Sequence, residues 1–64
     1  MDAMPTNDYV EVWFDGIARK YHCDTHWDAI VLVDALVASG RFKSVTRWTR
    51  DRMGGWVRMQ EWMK

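Results

Sequence analysis

Apolar and polar positions alternate along two stretches of this chain and recur with helical spacing along a third. Tyr9–Phe14 alternates, and Asp15-Gly16 follows directly. Asp-Gly between strand-forming residues predicts a two-residue hairpin loop, because both central residues of such turns need positive φ. That loop sets Phe14 opposite Ile17, Val12 opposite Arg19 and Val10 opposite Tyr21. One face of the hairpin then holds Val10, Val12, Phe14, Ile17 and Tyr21. The other holds Tyr9, Glu11, Trp13, Ala18, Lys20 and His22.

Thr25-His26-Trp27-Asp28 has the form of a capping box, with a Thr N-cap and an acid three residues later. It predicts a helix over His26–Ser39, which Gly40 ends in the left-handed C′ position. Ala29, Ile30, Leu32, Val33, Leu36 and Val37 form the broad stripe that covers a sheet. A second, narrower stripe holds Trp27, Val31 and Ala38 and is interrupted by Asp34. One helix on one sheet does not need that extra stripe, so it points to a partner or a second subunit.

Phe42–Thr49 and Trp56–Met63 predict a second hairpin across Arg50–Gly55, whose Gly54-Gly55 pair permits several turns. With Thr49 facing Trp56, residues Phe42, Trp48, Val57, Met59 and Met63 point inward. Val45, Arg47, Arg58, Gln60 and Trp62 then join Trp56 on the outer face, although a one-residue slip exchanges the two sets. The expected fold is a single small α+β domain, ββαββ, with one helix packed on a four-stranded, mostly antiparallel sheet. It spans residues 8–64 after a flexible leader over residues 1–7. Strand order stays open at this level.

Length and composition sharpen the picture. The chain has 64 residues, with five Trp, two Tyr and two Phe. A domain this small buries only about 60% of the surface its unfolded chain exposes, so its core is marginal. Cys23 is the sole cysteine, which excludes an intrachain disulfide and fits a reduced, cytoplasmic setting. The first residues lack the pattern of a signal peptide. The longest apolar run, Ala29–Val33, is far shorter than the roughly 20 residues a membrane span requires, so no membrane partner is expected.

A formal net charge of zero conceals an uneven distribution. Residues 1–40 carry two bases against seven acids, and residues 41–64 carry seven bases against two acids. Such polarity is a statement about partners. The basic part also holds Trp48, Trp56 and Trp62, and arginine beside tryptophan is the composition of contact surfaces for proteins and nucleic acids alike.

Candidate chemistry is sparse. His22, Cys23, Asp24 and His26 include metal-ligand types, but zinc wants about four ligands in paired spacings, and one thiol does not supply them. Cys23 with His22 or His26 imitates a nucleophile and base, yet neighbouring strand positions face opposite ways. No glycine-rich phosphate loop, nucleophile elbow or HExxH motif occurs. The reading is a non-enzyme without metal or cofactor.

The expected role is a non-catalytic protein-binding or inhibitory module, homodimeric, docking on a partner protein. Trp27 and Val31 on the helix, with Arg47, Trp56, Arg58 and Trp62 on the sheet, are the expected contact residues. Free-standing chains of this kind are common among phage and mobile-element proteins that disable a host protein, anti-defence proteins included, which places it in a host cytoplasm. The rival expectation is a small nucleic-acid-binding protein that uses its Arg/Trp-rich C-terminal hairpin.

Overall fold

The computed structural model describes residues 8–64, and the leader expected over residues 1–7 lies outside the described residues. The elements follow in the order β1 (Asp8–Phe14), β2 (Ile17–Cys23), α1 (His26–Ser39), β3 (Ser44–Arg50) and β4 (Trp56–Met63). α1 lies on one side of a four-stranded antiparallel sheet of order β2-β1-β3-β4. β2 and β3 both run antiparallel to β1, so they are parallel to each other, and α1 carries the chain between them. Among the described residues no helix is long and apolar enough to cross a membrane.

The first hairpin has the expected register, from Phe14 opposite Ile17 to Tyr9 opposite His22. Asp15 and Gly16 adopt φ of 54° and 78°, the pair of positive values its tight turn requires. α1 has the expected ends. Thr25 Oγ1 accepts from the Asp28 amide at 3.0 Å, and Gly40, at φ 68°, donates its N–H to the Val37 carbonyl. Only half of the expected capping box forms, because among the described residues the Asp28 carboxylate makes no return bond.

The core lies between α1 and the middle of the sheet. Val10, Val12, Cys23, Ala29, Val33 and Val45 are buried there, with Leu32, Leu36, Val37, Phe42 and Trp62 packed around them. Small β-branched side chains let the helix approach closely, and no aromatic ring lies fully inside this layer.

The second hairpin corrects the expected faces. Arg50, not Thr49, pairs with Trp56. Asp51 sets the loop: its carboxylate accepts from the amides of Met53 at 2.9 Å and Gly55 at 2.8 Å, and its own N–H donates to the Gly55 carbonyl. Through pairing with β1, Val45, Arg47 and Thr49 lie on the helix side, and Trp48 lies on the open face of the sheet. The reason is volume and charge. The centre of the layer beneath Ala29 and Val33 is filled by valines, Val45 among them, while the buried Asp8 holds Arg47 and Thr49.

β4 begins as expected, with Val57 on the helix side and Trp56 and Arg58 on the open face. The register then shifts, leaving Met59 between the pairs Trp48–Arg58 and Arg47–Gln60. One extra residue reverses the alternation. Gln60 and Trp62 therefore turn to the helix side, and Met63 to the open face, each opposite to expectation.

Candidate functional site

The outer side of α1 is the first candidate. The stripe of Ala29 and Val33 faces the sheet, which points Trp27, Val31 and Ala38 the opposite way. Trp27 is 70% exposed and Val31 49% exposed. Asp24 and Asp28 flank the indole in sequence, and Asp34 follows on the next turns. None of these three carboxylates has an ion pair or hydrogen bond among the described residues. The surface is therefore an exposed indole in a frame of unpaired negative charge.

The open face of the sheet is the second candidate. Its centre is Tyr9, only 7% exposed although no helix covers it. Tyr9 lies nearly parallel to Trp48 at 6.0 Å and 12°, meets Trp56 edge-on at 4.6 Å, and tilts against His22 at 5.7 Å. Burial, then the charge of Glu11, pushes the Tyr9 phenol above its ordinary pKa. Lys20 sits 5.2 Å over the Tyr9 ring and Arg50 4.8 Å over the Trp56 ring. Arg58 pairs with Glu61 at 3.5 Å, both exposed, an interaction worth little in water. Most rings and cations here already engage one another, while Trp13, 45% exposed, stands apart from the cluster.

The six expected contact residues do not form one site. Trp27 and Val31 share the outer side of α1, and Trp56 and Arg58 share the open face. Arg47 and Trp62 lie on the helix side of the sheet, where Trp62 packs against the core. The Arg47 side chain is 12% exposed and directs Nη1 to Asp8 Oδ2 at 3.3 Å and Nε to Gln60 Oε1 at 3.4 Å. Structural pairing thus engages the group that the sequence assigned to a partner.

Asp8 is the residue that sequence reasoning missed. It is fully buried, accepts a hydrogen bond from Thr49 Oγ1 at 2.9 Å, and lies 2.7 Å from His26 Nδ1. Burial raises its carboxyl pKa, but the contacts with His26, Thr49 and Arg47 outweigh that and hold it below the ordinary value. The available signal was its parity: Asp8 falls on the same alternation as the core residues Val10 and Val12.

Cys23 is buried, and its Sγ lies 3.7 Å from the Tyr21 carbonyl. Burial, then the charges of Asp28, Asp8 and Asp24, pushes the thiol above its ordinary pKa, which keeps it protonated and unreactive. Among the described residues no three His, Cys, Asp or Glu side chains gather as a metal site. No protein-family model, curated protein or solved structure matches the chain.

Proposed function

We propose that this chain is a non-catalytic docking module that binds a protein through the outer side of α1. The observation that carries the reading is Trp27: an indole 70% exposed, with Val31 one turn on, Asp24 and Asp28 beside it in sequence and Asp34 two turns on, none of the three carboxylates paired among the described residues. Tryptophan anchors dominate protein interfaces because a rigid ring buries a large area at low entropic cost. The free carboxylates select a receiving surface that is apolar at its centre and cationic at its border.

The open sheet face favours a second reading, single-stranded nucleic acid, because Trp13, Lys20, Arg50 and Arg58 share it. It is the weaker reading. Lys20 and Arg50 already lie over rings, Arg58 is paired, and Glu11 and Glu61 bring the face close to neutrality.

A benzophenone amino acid placed at Trp27, Val31 or Trp13 of the full chain, photolysed in the expressing cell, separates the two. Nuclease-resistant protein adducts at Trp27 and Val31 are expected. Adducts confined to Trp13 that vanish on nuclease treatment would replace docking with nucleic-acid binding.

A further inference from the structure

We propose that the surface receiving Trp27 belongs to a second copy of this chain, and that the receiver is the cleft beside the first hairpin. The inference rests on the reading of α1 as a docking element.

α1 covers Cys23 at the end of β2 and leaves Ile17, Arg19 and Tyr21 uncovered on the helix side of the sheet. Between the hairpin and the segment after α1 lies a cleft of about 320 Å³, the size at which ligand pockets begin. Val12, Phe14, Ile17, Tyr21 and Phe42 make it apolar, with Phe14 and Phe42 edge to face at 6.0 Å. Phe14, Ile17 and Tyr21 stay exposed for lack of anything above them. Arg19 and Arg41 line the same cleft, and neither guanidinium has an ion pair or side-chain hydrogen bond among the described residues. Asp15 at the turn also reaches the cleft, which keeps one net positive charge.

The cleft and the Trp27 face are complements. One offers an indole flanked in sequence by the acids Asp24 and Asp28; the other offers an apolar hollow lined by Arg19 and Arg41. They cannot meet within one chain. Trp27 is in the first turn of α1 and Arg41 lies just past its end, roughly 20 Å away at 1.5 Å per residue. Trp27 also points away from the sheet that forms the cleft. Two copies approaching with their helices antiparallel bring the first turn of each beside the far end of the other. Both contacts then form about one twofold axis, the commonest closed arrangement. Burial of the indole supplies affinity, and the Asp–Arg pairs set orientation.

Sedimentation equilibrium of the full chain, from micromolar to millimolar concentration, tests this. The wild-type chain is expected to dimerise. Trp27→Ala, and separately Arg19→Glu with Arg41→Glu, should each weaken the dimer at least tenfold, about 1.4 kcal/mol, with an unchanged circular dichroism spectrum. Adding Asp24→Lys and Asp28→Lys to the arginine reversals should restore association. Should charge reversal disturb the fold, Arg19→Gln with Arg41→Gln carries the same expected weakening. A monomeric wild-type chain, a dimer indifferent to both sets, or a four-fold exchange that stays dissociated overturns the proposal. A monomer that still forms nuclease-resistant adducts at Trp27 with other proteins overturns the second copy as occupant and leaves docking standing.

Discussion

Asp8 is a carboxylate without exposed surface, held from two neighbouring elements by His26 of α1 and by Arg47 and Thr49 of β3. Breaking a buried ion pair from one side costs about 3–5 kcal/mol, because the remaining charge has lost its compensation. Asp8→Asn keeps the shape and strands Arg47, whose side chain is 12% exposed, so urea denaturation should show a loss of about 3 kcal/mol. For a small domain that is a large share of the total stability. The pH dependence follows from the direction of the shift. The folded Asp8 carboxyl lies below its ordinary value, so its contribution is complete above the unfolded-chain pKa of about 3.9 and disappears as pH falls through the folded value. Between about pH 5 and pH 3 the wild-type chain should therefore lose stability more steeply than Asp8→Asn. Equal slopes for the two proteins would show that this carboxylate does not stabilise the fold through its charge.

At the scale of elements, β4 depends on one extra residue. The register shift at Met59 turns Trp62 toward the core; without it Trp62 and Gln60 would face the open side. Deleting Met59 should remove the bulge and still leave Gln60 opposite Arg47 and Trp62 opposite Val45, so it should cost less than Trp62→Ala, which removes a core-packed indole at about 2 kcal/mol or more. Thr25→Ala should cost about 1 kcal/mol through the lost cap, a local effect that Trp62→Ala should exceed in thermal denaturation. The contrast explains what the sequence disclosed. The first hairpin was legible because Asp15-Gly16 fixes both turn and register within two residues. The ends of α1 were legible because Thr25 and Gly40 act within one turn. The faces of β3 were not, because they follow from a carboxylate nearly forty residues earlier in the chain and from the loop that Asp51 organises. The bulge was not legible either, since nothing in Trp56–Met63 marks Met59 as the unpaired residue. The same division runs through the expected contact residues: the helix wheel put Trp27 and Val31 on the outer side of α1, where they lie exposed, and long-range pairing moved Arg47 and Trp62 to the helix side.

At the scale of the molecule, the polarity of the sequence is carried by α1 and its flank rather than by the sheet. β1 and β2 hold Asp8 and Glu11 against Arg19 and Lys20, whereas Asp24, Asp28 and Asp34 lie just before and along α1. In the proposed twofold pair, Asp24 and Asp28 of one copy face Arg19 and Arg41 of the other, and that attraction acts over a screening length of about 10 Å at 0.1 M salt. Salt should therefore weaken self-association without abolishing it, because the buried indole does not respond to screening. Nucleic acid would behave differently. Lys20, Arg50 and Arg58 are the cations within the open sheet face, and contacts from all of them to a single strand would lower log K by about 2 for each tenfold rise in salt. Sedimentation equilibrium and oligonucleotide anisotropy, each run across a tenfold range of sodium chloride, give both slopes. The dimer constant should fall by about tenfold or less, as expected when orientation is electrostatic and affinity is apolar. A hundredfold fall in self-association over that range would transfer the affinity from Trp27 to the Asp–Arg pairs.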